Sequence, residues 1–201
     1  RDFTRTPYFW ADPPKSIINI EMLDLILDLP ANFEPDEEYE YSNTNYLLIR
    51  ELISKTLGYS YQQFIREEIL NPLGLENTFC SLDEVDLDDV MSGYYVGYEA
   101  DTKTNYYGTM IATAEDVGIF VRALNDGSVF DEGEQDIYSS IYVYEHGGLL
   151  VGYQSYAKYH ADIDTVVIQF VNTTDFEGYE WNLSRIVYNR IVKILRRQYS
   201  S

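Results

Sequence analysis

The spacing of apolar residues changes once along this chain, and that change limits the folds open to it. Up to residue 124 apolar positions recur at helical intervals, and after residue 137 they alternate with a period of two. From Thr44 to Leu57 the stripe is Tyr46, Leu47, Ile49, Leu52 and Ile53, and Gly58 is a natural stop. Ser60 caps a second helix, Tyr61 to Leu70, with Gln63 as capping-box partner, and Asn71-Pro72-Leu73-Gly74-Leu75 breaks it. Thr113, with Asp116 three residues on, opens a third, Ala114 to Leu124, closed by Asn125-Asp126-Gly127. Ahead of these, a short helix over Ile20 to Leu27 is capped from Ser16 or Asn19 and ends before Pro30, and residues 1–15 read as an irregular, packed segment. Strands are predicted at Ile141 to Tyr144, Gln154 to His160 and Thr165 to Asn172, with Asp162-Ile163-Asp164 turning the last two into an antiparallel hairpin. Leu183 to Leu195 forms an amphipathic helix able to cover the sheet. Helices, then a strand meander, then a closing helix indicate an α+β fold. Residues 1–136, mostly helical, and 137–201, sheet plus helix, are read as two parts of one integrated fold.

Composition removes whole classes of function. A net charge of -20 argues against nucleic acid, because a phosphate backbone is bound by exchanging its counterions for Lys and Arg. The chain has no apolar run near the roughly 18 residues needed to span a bilayer. Cys80 is the single cysteine, so no intrachain disulfide exists, and one Cys with two His makes no dedicated metal site. No cofactor is expected. Cys80 reads as a small buried hydrophobe, the acidic run at 83–89 as solvated, the stretch 81–107 as a long surface loop, and His160 as a strand-end surface residue. The chain opens at Arg1-Asp2-Phe3 with neither Met nor a leader pattern, which reads as a processed or partial form.

Two short motifs carry chemistry. Tyr41-Ser42-Asn43 stands directly ahead of the first long helix, after an extended Phe33-Glu34-Pro35. His146-Gly147-Gly148 leads into the strand-rich tail, and its glycines allow a ligand backbone to approach closely. Around them lie Asn71-Pro72-Leu73-Gly74-Leu75-Glu76-Asn77-Thr78, Thr113-Ala114-Glu115-Asp116-Val117 and Gly152-Tyr153-Gln154-Ser155.

In this order and spacing, over roughly residues 25–195, these segments resemble the serine β-lactamase and penicillin-binding-protein superfamily, with its D-Ala-D-Ala carboxypeptidase, class C-like and esterase-like branches. The resemblance implies a β-lactamase/transpeptidase-like fold and acyl transfer from an amide, lactam or ester to water through a Ser acyl-enzyme. It casts Tyr41 as proton shuttle, Asn43 as partner of substrate and of a catalytic Lys, and His146 as an electrostatic group of the cleft. Gly147 and Gly148 would line the substrate path, and the Leu149 N–H would serve as one oxyanion donor, a kind of contact worth about 3 kcal/mol. A small molecule, peptide or ester is the implied substrate, and a periplasmic, secreted or surface location goes with it.

The nucleophile motif departs from that pattern. Ser155-Tyr156-Ala157-Lys158 is the only Ser-x-x-Lys in the chain. It follows the His-Gly-Gly instead of preceding the Tyr-x-Asn, and in a strand residues three apart point to opposite faces. A phenol shuttles protons near neutrality only if a cation lowers its pKa from about 10, so Tyr41 without the Lys is an ordinary phenol. The chain therefore reads as the C-terminal two-thirds of such a hydrolase, without its N-terminal strands and nucleophile helix, and inactive as it stands. The strand from Thr165 to Asn172 would then be an apolar edge, paired by a complementing N-terminal segment or a second copy. A non-catalytic peptide- or glycan-binding protein and a structural module pairing through that strand are the alternatives.

Overall fold

The computed structural model describes residues 1–9, 11–12, 18, 20–105, 108–141, 144–176 and 180–199. The proposed caps Ser16 and Asn19 lie outside the described residues, as do Tyr142 and Val143. In chain order the helices and strands are α1 (Asn43–Leu57), α2 (Tyr61–Ile65), α3 (Asn71–Leu73), β1 (Thr78–Phe79), β2 (Tyr94–Tyr95), β3 (Ile111–Ala112), α4 (Ala114–Asp126), α5 (Glu134–Ile141), β4 (Glu145–Leu150), β5 (Tyr153–His160), β6 (Thr165–Val171), β7 (Thr173–Thr174) and α6 (Glu180–Tyr199). The α+β order read from the sequence is the order observed.

Local chemistry sets most of the helix ends. Gly58 closes α1 at φ 78°, a left-handed conformation that costs glycine little. Ser60 Oγ accepts from Gln63 N at 3.1 Å, while the Gln63 side chain turns to Glu67 instead of back to the cap. Asn71-Pro72 does not end the second helix. The chain runs through a π turn, Arg66–Leu70, into α3, and Gly74 ends it. A wide turn explains this, since Pro72 has no N–H to donate and its ring clashes with a carbonyl in an ordinary α-turn. The segment Ile20–Leu25 is a 3-10 helix, not an α-helix.

The expected strand at Ile141 is also corrected, because Ile141 is the last residue of α5. Ile137, Tyr138 and Ile141 sit at helical spacing, and Tyr138 packs on Phe130 (centroids 5.1 Å apart) and stacks on Tyr144 (5.2 Å). Nor is 81–107 a wholly superficial loop, for it contributes β2, the buried Tyr95 and the fully buried Thr102.

Three antiparallel strands in the order β4-β5-β6 form the main sheet. Its register pairs His146 with Ala157, Gly148 with Ser155 and Ser155 with Phe170. Parallel β2–β7 and antiparallel β1–β3 pairs flank it. α4 packs against β5 and β6 on one face. On the other, α6 lays Tyr188 and Val192 against Val167, with Tyr156 and Leu195 beside them. At the chain's start Phe3 and Phe9 meet edge-to-face at 5.6 Å and share a core with Met22, Leu23, Ile26 and Leu47. Cys80 is buried with Leu70 and Leu75, and burial raises its thiol pKa, as expected of a packed and unreactive thiol.

His160 is buried, not superficial. Tyr188 Oη donates to the Val167 carbonyl at 3.2 Å, so at 2.9 Å it accepts from His160 Nε2, which fixes the Nε2–H tautomer. Burial first, then the Arg196 and Lys158 cations, lower the His160 pKa below its usual value; burial pushes Tyr188 up to about 12. A His with a depressed folded-state pKa is neutral in both states above the unfolded value of about 6.5, where its contribution is complete. Below that the unfolded chain takes up the proton first, and stability falls until the folded-state pKa is passed. The difference in urea midpoint between the native chain and His160→Gln is expected to be constant above pH 7 and to shrink as the pH falls. An identical pH profile for both proteins would show that His160 is not the titrating group.

Candidate active site

Ser42, Asn43 and Thr44 are held by a strap from the chain's N-terminus. Asp2 is buried, and its carboxylate accepts four hydrogen bonds: Thr4 N (2.9 Å) and Thr4 Oγ1 (2.8 Å) on Oδ1, Asn43 N (2.8 Å) and Asn43 Nδ2 (3.0 Å) on Oδ2. Asn43 Nδ2 also reaches Thr4 Oγ1 at 3.3 Å. Phe3 N donates to Thr44 Oγ1 at 3.1 Å, and Ser42 Oγ to the Arg1 carbonyl at 3.3 Å. Ser42 makes no side-chain cap for α1, so Asp2, distant in sequence, satisfies the helix's first N–H in its place. Tyr41 remains 43% exposed with its ring 5.6 Å from that of Tyr46.

The second motif lies on β4, as the family resemblance implied. A Cβ on Gly148 would stand 2.6 Å from Ser155 Oγ, so a larger residue there requires that hydroxyl to move. Gly148 and Ser155 are register partners, with His146 and Ala157 one pair along the same face. Ser155 and Lys158 fall on opposite faces of β5, and Lys158 forms an ion pair with Glu145. The isolated Ser-x-x-Lys is thus no nucleophile pair.

Between the two motifs opens a cleft of about 1210 Å³. Tyr41, Asn43, His146, Gly147, Gly148 and Leu149 all line it, as does Ser155. Sequence positions a hundred residues apart are brought to one cavity. Its apolar walls include Leu70, Leu75 and Phe120. α4 is fixed beside it by the buried Asp116, whose Oδ2 accepts from Asn77 N (2.9 Å) and Thr78 Oγ1 (2.8 Å) while Thr113 Oγ1 caps the helix at Asp116 N (3.2 Å). Two contributors escaped the sequence reading. Asp2 carries no motif, and Ser155 was weighed only as a misplaced nucleophile, although its place in Gly152-Tyr153-Gln154-Ser155 was a usable signal.

The Beta-lactamase family profile matches residues 1–140. The chain belongs to the β-lactamase family. Among curated proteins it is 37% identical over 75 residues to penicillin-binding protein 4* of Bacillus subtilis (strain 168), a match covering 35% of this chain and 17% of that protein. Among solved structures it shares its fold with the D-amino acid amidase of Ochrobactrum anthropi SV3 complexed with D-phenylalanine, at TM-score 0.76 and 18% identity, covering 89% of this chain and 65% of that one. A D-stereospecific amidohydrolase from a Streptomyces species gives TM-score 0.70 at 18% identity, covering 86% of this chain and 64% of that one. The chain thus spans less than two-thirds of these relatives' lengths. No described helix is long and apolar enough to cross a membrane.

The Gly148–Ser155 contact is testable by a double-mutant cycle. Gly148→Ala is expected to cost about 1–3 kcal/mol through overpacking, and Ser155→Ala, by removing the hydroxyl, to recover part of that loss in the double variant. Strict additivity of the two, measured by urea unfolding, would show that the clash is not the source of the cost.

Proposed function

We propose that this chain supplies the Tyr-x-Asn loop and the His-Gly-Gly strand of a serine hydrolase that cleaves an amide, lactam or ester through an acyl-enzyme. One observation carries the reading: both motifs line a single cleft. Tyr41 is the proton shuttle, Asn43 the partner of substrate and of a lysine ammonium, and His146 the electrostatic group. Gly147 and Gly148 admit the substrate, and the Leu149 N–H is an oxyanion donor. The serine attacks the carbonyl carbon, the amine or alcohol departs with a proton returned through Tyr41, and water then cleaves the acyl ester. The serine and its lysine come from a segment outside residues 1–201 that completes the cleft. The partial coverage of the relatives' lengths supports this. The likeness to an amidase and an amidohydrolase favours an amide as substrate.

Intact-mass spectrometry after incubation with a fluorophosphonate and, separately, a penicillin tests this. No adduct is expected on residues 1–201, and one covalent adduct on a longer natural form, mapped to an upstream Ser-x-x-Lys. A Ser155 adduct on this chain would overturn the assignment of the nucleophile, and a longer form that reacts with neither reagent would overturn the hydrolase reading.

The main sheet favours one additional reading, assembly through a strand. β6 is the edge of the described three-stranded sheet, and it is apolar, with Phe170 exposed. An unpaired edge of this kind is a template for another strand. If a second copy or a complementing segment pairs there, the outward β6 amides will resist hydrogen exchange. A monomer in which those amides exchange rapidly would exclude this second reading.

A further inference from the structure

Arg50 is a cation that pairs with no described carboxylate. Arg5, Arg66, Arg122, Lys158 and Arg196 each meet one, as expected in a chain of 34 acidic residues and 14 Lys and Arg. Arg50 instead donates from Nη1 to the Gly108 carbonyl, 58 residues away in sequence. Its guanidinium lies over the Tyr61 ring, 5.5 Å from the centroid, within the range of cation–π attraction. Tyr61 is itself tied to α1, because its N–H donates to Ser54 Oγ at 2.9 Å and that hydroxyl donates to the Arg50 carbonyl at 3.0 Å.

The other end of this contact is a wall of the cleft. Gly108, Thr109 and Met110 line the cleft, and Arg50 is not among the described lining residues. Gly108 takes φ +59°, and a Cβ there would stand 3.0 Å from the Ile18 carbonyl and 3.3 Å from Arg50 Nη1. The chain turns at Gly108 with its carbonyl on Arg50, and Met110 follows two residues on, 42% exposed. Arg50 comes seven residues after Asn43 on the same face of α1, two turns or about 10 Å along the axis. One rigid helix thus spaces Asn43 from the wall.

We propose that Arg50 is a positioning residue that sets the Gly108–Met110 wall, and through it the fit of a substrate's apolar side group against Met110. The guanidinium suits this task because its planar fork can lie on a ring and donate to a carbonyl at once, which an ammonium cannot. The contact with substrate rests on the hydrolase reading; the hold on the wall does not.

Two measurements separate these parts. In residues 1–201 with 13C-methyl methionine, Arg50→Leu is expected to shift the Met110 methyl signal and to leave that of Met91 in place. An unmoved Met110 signal would overturn the proposal, whatever becomes of the hydrolase reading. In the longer natural form, Arg50→Leu is expected to slow acylation by a penicillin about tenfold and labelling by a small fluorophosphonate by no more than about twofold, with Arg50→Lys between native and Leu for the penicillin. The penicillin must fit its side group to the wall, whereas the fluorophosphonate needs only the serine. Equal losses with both reagents would show a structural role alone and overturn the proposal, as would no loss with either. Should Arg50→Leu fail to fold, Arg50→Lys decides by the same methyl spectrum, and a native Met110 signal there would overturn the proposal.

Discussion

Two buried threonine hydroxyls hold the turn on which the active-site strand depends. Thr174 Oγ1 accepts from Gly152 N at 2.7 Å and donates to the Leu150 carbonyl at 3.1 Å; Thr102 Oγ1 donates to the Val151 carbonyl at 3.2 Å. Both side chains are fully buried, so these bonds form away from competing water and losing one would strand a polar group. Gly152 adopts φ +89°, and a Cβ there would lie 2.1 Å from Thr102 Oγ1. The turn joins β4 to β5, and its position decides where His146, Gly147 and Gly148 meet the cleft.

Pinning continues outward from that turn. Thr102 N donates to the Gly93 carbonyl at 2.9 Å, and Tyr94 and Val96 N–H groups donate to the Asn172 and Thr174 carbonyls at 2.9 and 3.0 Å. The Asn172 side chain returns to the Ser92 carbonyl at 3.0 Å, and Tyr153 Oη to that of Met91 at 2.7 Å. An acidic segment that looks superficial in sequence is thus tied to the main sheet, with Tyr95 packed against Val151. On the other side of the cleft the Asp2 carboxylate plays the matching part, joining the first residues of the chain to the start of α1. Each wall is therefore set by buried hydrogen bonds between segments far apart in sequence, which gives fixed geometry where substrate-positioning groups require it.

The family resemblance was legible because its motifs are local. Tyr41-Ser42-Asn43 precedes a helix whose apolar stripe and Gly58 stop are written in fifteen residues, and Thr113 capping Asp116 needs only a hydroxyl three positions from an N–H. β5 and β6 showed themselves through alternation and an Asp-Ile-Asp turn. α5 was missed because its apolar residues also fit a short alternating run, and what decides is packing of Tyr138 on Phe130 and Tyr144. His160 was misread for a related reason. Strand-end position says nothing about whether a helix from residues 180–199 will cover it with Tyr188.

By itself, then, the sequence determined the α+β order, the stops of α1 and α4, the cap of α4, the antiparallel hairpin of β5 and β6, and the two motifs. All of these follow from interactions spanning a few residues, which backbone geometry and side-chain period dictate. Tertiary structure alone decided that the motifs face one cleft, that Asp2 satisfies the first N–H of α1, that Ser155 rather than Lys158 turns toward Gly148, and that His160 is buried. Each of these rests on contacts between residues distant in the chain or on separate strands, whose partners become neighbours only when the apolar faces have packed.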